Sequence, residues 1–571
     1  MADTWITDTG ASTRFPVYTR ANASDVLPGP VSPLGATLSW IPGLMEGWRD
    51  GNIRQGAFSV EELAGDPNPT CAIFNGYFYV NASVVRVYGE RAGAGAAAID
   101  AAFFGNRPDT PPYVPHPDDQ SEAAAARIGS TMAWVMSATE WPEMDESKRR
   151  ADAARAGRPD LASASDEELV ARAREMTQLE REFFSDHVLS SSNTAVGPTI
   201  VGQIAPTQLL RLLGSAGDVD SALPSYELWS LSREVRESPE LTAAFEAGVA
   251  GLLERLRAED DGDAVALLDH LDRFLEDYGA RGPNEWDAYS DVWESQPELV
   301  LALVDRMRLA GDDQSPLGRH DAVAEDRDAA TAEVLAGLGD DEATKGLLLA
   351  GQASALRFMG WRERTKTNCV KAVHEQRMAL RELGRRATER GVLDHPKQVF
   401  MLLAEERDDF VAAPAALRDR CREREAAWRL LWDREPPYFV EGDKGVPPLS
   451  SLLGKGDGAV TAAASGDVLT GGPGCAGVVQ GTARVILDPS DPTALEPGDI
   501  LIAPNTDPAW TPLFVPAGGV VVDVGALNSH AVIVSRELGI PCVVSVVDAT
   551  KRIPDGALIE IDGGAGTVKI L

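Results

Sequence analysis

Hydrophobic and polar positions follow three different rhythms along the chain. Up to about residue 120, short apolar and aromatic runs such as Cys71-Ala-Ile-Phe-Asn-Gly-Tyr-Phe-Tyr-Val-Asn81 alternate with Pro, Gly and Thr, a pattern that predicts strands. From about 120 to 435 the apolar positions recur at helical spacing. Ser165-Asp-Glu-Glu168 forms a capping box ahead of Leu169, Ala173, Met176, Leu179 and Phe183, which fall on one helical face. Ser238-Pro239-Glu240 repeats the start signal, with Pro in the first turn. Stretches 352–390 and 394–432 predict further long amphipathic helices, packed as a bundle. Pro436-Pro437, Pro447-Pro448 and the glycines between 454 and 472 then interrupt every periodicity, predicting a flexible linker over 436–473. The last hundred residues place short apolar runs (477–487, 499–503, 519–524, 542–546 and 557–561) around one helix, 530–538. The expected fold is therefore multidomain α+β. A large domain, 1–435, is β-rich to about 120 and then helical; a linker, 436–473, leads to a compact α/β unit, 474–571.

Length and charge narrow the function classes. A chain of 571 residues exceeds one core. With 53 Lys and Arg against 88 Asp and Glu the net charge is −35. That field repels nucleic acid and anionic lipid, so neither is expected as a partner. There is no apolar run long enough to span a bilayer, and the opening residues lack the basic and apolar regions of a secretory leader. Five scattered cysteines, Cys71, Cys369, Cys421, Cys475 and Cys542, include no CxxC pair. They predict reduced thiols, a cytoplasmic location and no metal site.

The chemistry concentrates in Val520-Val-Val-Asp-Val-Gly-Ala-Leu-Asn-Ser-His530-Ala-Val-Ile-Val-Ser-Arg536-Glu-Leu-Gly539. An apolar strand ends at Asp523, Gly525 allows a turn, and Asn528 and Ser529 start a helix that Gly539 ends. His530 thus occupies the first turn. The positive end of the helix dipole disfavours imidazolium and keeps the ring nucleophilic. The free N–H groups there would hold a phosphoryl dianion. Asn528 and Ser529 could add hydrogen bonds, and Arg536, leaning back along the helix, could reach the same phosphoryl.

The string 525–536 resembles the phosphohistidine signature of the PEP-utilising enzymes, the phosphoenolpyruvate synthase and pyruvate phosphate dikinase group. Gly474-Cys-Ala-Gly-Val-Val-Gln-Gly-Thr-Ala-Arg484, Pro497-Gly-Asp-Ile-Leu-Ile-Ala-Pro504, Thr506-Asp-Pro-Ala-Trp-Thr-Pro512 and Gly539-Ile-Pro-Cys-Val-Val544 support it in order. The resemblance implies a swivelling β/β/α domain whose histidine is phosphorylated at one site and dephosphorylated at another. Gly525-Ala526-Leu-Asn528 replaces the group's usual Gly-Gly-x-Thr. Thr506, Asp507 and Trp510 either wall the histidine or order a loop, and Trp510 is kept as a substrate-side candidate.

The chain has no Gly-x-x-x-x-Gly-Lys-Ser/Thr loop, and the Gly-Gly-Lys-Gly segment of the group's ATP-grasp region is not in the sequence. The resemblance therefore implies that ATP and Mg2+ bind a separate ATP-grasp subunit. Residues 1–435 are similar to the substrate domain of rifampin phosphotransferases and phenylphosphate synthases, through Arg14-Phe-Pro-Val-Tyr-Thr-Arg20-Ala-Asn22, Phe274-Leu-Glu-Asp-Tyr-Gly-Ala-Arg281-Gly-Pro-Asn-Glu285-Trp-Asp287 and Arg362-Glu-Arg-Thr-Lys366. Arg281 would clamp the phosphoryl group and Glu285 would take the acceptor proton, or the two form a structural ion pair. Arg20, Trp286 and Arg362 are further substrate-binding candidates. Ala280 stands where the group often has His. The expected activity is relay of the β-phosphoryl of ATP through His530 to a small phenolic hydroxyl, such as a hydroxyphenyl ketone in aromatic catabolism. The alternatives are a component of a rifamycin-type antibiotic phosphotransferase and a non-enzymatic phosphocarrier module.

Overall fold

The computed structural model describes residues 3–66, 68–104, 107, 109–215, 219–259, 262–454, 460–487, 495–506, 510–525 and 529–571. The chain divides into two compact units. The first comprises Met1–Asn193, Trp286–Ser290 and Arg364–Ala459; the second comprises Thr194–Glu285, Asp291–Glu363 and Val460–Leu571. Both are assembled from separated stretches of sequence, so a partition into 1–435, 436–473 and 474–571 does not follow the packing.

The first unit holds a small antiparallel sheet, order β2-β3-β1-β5, of β1 (Val17–Thr19), β2 (Cys71–Phe74), β3 (Tyr77–Asn81) and β5 (Phe439–Glu441). Asn75-Gly76, both at positive φ, closes the β2–β3 hairpin, as a two-residue turn requires. Strands are few, however, and the expectation of a β-rich first 120 residues is corrected. Helices Gly35–Met45, Glu46–Arg54, Ala82–Arg91 and Ala96–Phe104 occupy more of that stretch. Glycine explains part of the discrepancy. A Cβ at Gly47 or Gly51 would stand 2.5 Å from atoms of helix Asp166–Asn193. They let two helices pack closely rather than ending one.

Two further expectations are corrected here. Residues 436–454 do not form a flexible linker: β5 pairs with β1, and Val440, Leu449 and Leu452 are buried in the first unit. A short ladder joins β4 (Arg434–Glu435) to β6 (Leu453–Gly454). Residues 455–459 of the expected linker lie outside the described residues, and from Val468 the chain is already strand. Stretch 394–432 is a series of short turns ending in helix Arg418–Leu431, because Pro396 and Pro414 each start a new turn. The helix expected over 352–390 is part of Glu342–Glu389. Both predicted helix starts form as read: Ser165 and Glu168 cap each other reciprocally, and Ser238 accepts from the Leu241 N–H.

The second unit combines helices, among them Leu223–Glu237, Gly262–Tyr278, Glu298–Arg308 and Pro316–Gly337, with an eight-stranded mixed sheet. Its order is β7-β14-β13-β9-β10-β11-β12-β8, from β7 (Val468–Thr470), β8 (Gly472–Cys475), β9 (Val478–Val485), β10 (Ile500–Ala503), β11 (Gly519–Val522), β12 (Cys542–Val544), β13 (Leu558–Asp562) and β14 (Thr567–Ile570). Strands β9 to β12 run parallel. Because side chains alternate along a strand, both faces are buried. Ile500, Ile502, Val521 and Val543 pack with Ile559, Ile561 and Val568. Leu501, Ala503, Val520, Val522 and Val544 face helix His530–Leu538 and share one core with Leu228, Leu231, Phe274, Trp293 and Val304 of the helical part.

Candidate active site

His530 is the first residue of helix His530–Leu538, which Ser529 precedes in extended conformation and Gly539 ends in the left-handed region. The helix lies against β8 and β12. Just beyond strand β11, Asp523 accepts from the Thr550 N–H at 2.7 Å and from its hydroxyl at 2.5 Å. Burial pushes the Asp523 carboxyl up to about 6, against the lowering effect of those bonds. Gly525 is needed for close approach, since a Cβ there would meet Ser529 Oγ and Val544 at 3.1 Å.

The imidazole is only 7% exposed. Its Nδ1 is 3.0 Å from the Thr506 hydroxyl and its Nε2 is 3.0 Å from the Thr511 hydroxyl. Phe514 meets the ring edge-on, centroids 6.0 Å apart. A neutral imidazole carries one proton, so one threonine accepts from the ring while the other donates to its lone pair. Among the described residues the buried Ser529 hydroxyl beside it has no hydrogen-bond partner. A helix start, whose first-turn N–H groups have no acceptor within the helix, together with a buried hydroxyl and a held imidazole, can receive an oxyanion on the ring and stabilise it.

The other expected residues divide between the two units. Thr506 does wall the histidine. Thr511 was not singled out from the sequence, where its neighbours Trp510 and Pro512 draw more attention. Asn528 and Asp507 lie outside the described residues. Trp510 is buried in the core rather than open to a ligand. Arg536 is not placed to reach a phosphoryl on His530: its Nε donates to the Gly474 carbonyl at 3.0 Å. Six residues along a helix amount to about 9 Å of rise and roughly 240° of rotation, which carries Arg536 to another face.

Arg281 and Glu285 form a buried ion pair, 2.9 Å, in the loop after helix Gly262–Tyr278. Both side chains are buried, as a structural ion pair would be. Arg362 pairs with its neighbour Glu363. In the first unit, the Arg20 guanidinium donates to the carbonyls of Phe78, Leu27 and Pro28 and lies over Tyr77 and Tyr79; these bonds give it a structural role. Trp286 packs against Phe184 and His187, with centroids 5.7 and 5.9 Å away. His187 is only partly buried, and its Nδ1 lies 3.2 Å from the Thr365 hydroxyl. It is a titratable group beside a candidate substrate residue, hidden in the sequence within the long helix Asp166–Asn193.

Residues 495–566 match the mobile domain of PEP-utilising enzymes, and residues 199–363 match the fourth domain of rifampicin phosphotransferase. The chain is similar in sequence to the rifampicin phosphotransferases. His530, Thr506 and Thr511 fall in the mobile-domain match; Arg281, Glu285 and Arg362 fall in the fourth-domain match. The rifampicin phosphotransferase of Streptomyces sviceus is 31% identical over 374 residues, covering 63% of this chain and 40% of that protein. That of Bacillus cereus is 30% identical over 314 residues, 53% of this chain and 34% of its own length. An uncharacterized protein of Mycobacterium tuberculosis is 29% identical over 597 residues, 99% of this chain. The chain spans 62% of that relative's length and less of the two phosphotransferases. No helix among the described residues is long and apolar enough to cross a membrane.

Proposed function

We propose that this chain relays a phosphoryl group through His530 onto a hydroxyl of an organic acceptor. The observation carrying this reading is the imidazole at a helix start, both ring nitrogens on threonine hydroxyls, within a matched mobile domain. In the first half-reaction a ring nitrogen forms an N–P bond while the P–O bond to the donor breaks, and that electron pair leaves with the donor oxygen. In the second, the acceptor oxygen attacks phosphorus, the N–P pair returns to the ring and a base takes the hydroxyl proton. The helix N–H groups and the Ser529 hydroxyl neutralise the phosphoryl oxygens in both.

The donor in this reading is ATP, bound with Mg2+ by an ATP-grasp protein. The 571 residues hold no phosphate-binding loop that fits it, since Gly454-Lys455 lacks the upstream glycine and the following hydroxyl. Two relatives named rifampicin phosphotransferase favour a rifamycin-type acceptor over the phenolic one. His187, beside Trp286, is the candidate to receive the acceptor proton. Incubation of the chain with ATP, Mg2+ and an ATP-grasp protein tests both choices, with rifampicin and a hydroxyphenyl ketone offered in separate reactions. Mass spectrometry should locate phosphate on His530 and on rifampicin. Phosphate on another residue, or on neither small molecule, would sink the reading.

A further inference from the structure

The second unit holds an open cleft of about 430 Å³. Its walls come from the helical part, through Arg211, Arg319 and Val323, and from the histidine domain, through Arg536, Ile540 and Pro541. Among the described residues Asp326 is the one acidic residue lining it, against three arginines. In a chain of net charge −35, this is a local concentration of positive charge. Arg211 is neutralised by Asp326 and Glu333, at 2.6 and 3.1 Å. Arg319 donates to the Val515 carbonyl at 3.0 Å.

Arg536 differs from both. It is 7% exposed, its Nε donates to Gly474, and its two terminal nitrogens make no hydrogen bond among the described residues. The adjacent Glu537 carboxylate lies instead 3.3 Å from His320. A desolvated guanidinium with no carboxylate in ion-pair range is costly, and burial, the largest influence on both, lowers the proton affinity of Arg536 and Arg319 against the neighbouring charges of Glu537 and Asp313. A planar guanidinium opening into a cleft matches an oxyanion's paired acceptors.

The geometry points to an oxyanion site in this cleft, where Arg536 and Arg319 bind the phosphate or carboxylate group of a small metabolite. Its walls belong to both family-matched segments, so the bound anion would hold the histidine domain against the helices. Binding to the packed form alone raises its stability in proportion to ligand occupancy. The inference does not depend on the phosphoryl relay.

Titration calorimetry and thermal melting of the full chain test it, with inorganic phosphate and acetate as separate probes. Saturable binding of phosphate, with a rise in melting temperature, assigns the site to phosphate groups; binding of acetate alone assigns it to carboxylates. Arg319→Met and Arg536→Met should each weaken binding at least tenfold. His530→Ala should bind as the wild type does, which separates this result from failure of the relay. Should Arg536→Met not fold, since Gly474 loses its donor, Arg319→Met decides. Binding of neither anion, or equal binding by the variants and the wild type, overturns the site.

Discussion

His530 has a threonine hydroxyl on each ring nitrogen, so in the proposed relay the ring attacks phosphorus only when one of them leaves. Nε2 is the ring nitrogen remote from the backbone, so in that relay Thr511 is the hydroxyl that yields, while Thr506 keeps Nδ1 oriented. His530→Ala should abolish protein phosphorylation and product formation while circular dichroism and melting show a folded chain. Thr506→Val should slow phosphorylation about fivefold, the value of one lost hydrogen bond of about 1 kcal/mol. Thr511→Val should leave that rate unchanged or raise it. Rapid-quench labelling of the two variants checks the assignment, and an equal slowing in both would reject it.

At the scale of elements, the long helix Asp166–Asn193 carries a second unusual group. Glu180 is wholly buried, accepting from the Ser39 hydroxyl and from the Gln376 amide at 2.9 Å. Desolvation moves its carboxyl from the ordinary 4.5 to about 7, the hydrogen bonds opposing the shift. The folded chain therefore binds this proton more tightly than the unfolded chain. The contribution is fully present below about pH 4.5 and is lost as pH rises through about 7, on the order of 3 kcal/mol. Glu180→Gln, neutral throughout, should remove this part of the pH dependence. Its melting temperature should exceed that of the wild type at pH 8, as differential scanning calorimetry at pH 5 and pH 8 would show.

At the scale of the whole molecule, the histidine domain shares a continuous apolar core with the helices of the second unit. The short helix Thr511–Phe514 is one contact: it supplies Thr511 to the ring and packs on helices Leu223–Glu237 and Glu298–Arg308. Exposing the imidazole therefore means detaching that helix. Leu513 is 1% exposed within this core. Leu513→Ala should destabilise the unit by about 2–5 kcal/mol. Amide exchange should rise locally at 511–514 and 530–538. If only global unfolding accelerates, the packing there is not a separable contact.

How much was legible beforehand varies with how local the cause is. Ser165 with Glu168, Ser238 with Pro239 and the helix ended by Gly539 all depend on residues a few positions apart, and each formed as read. The phosphohistidine signature was legible for the same reason: strand, turn and helix start lie in one short stretch. Arg536 was misread because a helical side chain's direction is settled by its acceptor, Gly474, sixty-two positions away. In the first 120 residues, Gly47 and Gly51 serve a contact with a helix over a hundred residues later, which local patterning does not show. Nor could any spacing rule reveal that Thr511 would cover the ring or that Trp286 would sit beside His187. Sequence by itself determined the elements whose hydrogen bonds close within a few residues. Tertiary structure alone decided which side chains share a buried space, because burial depends on partners brought together only by packing.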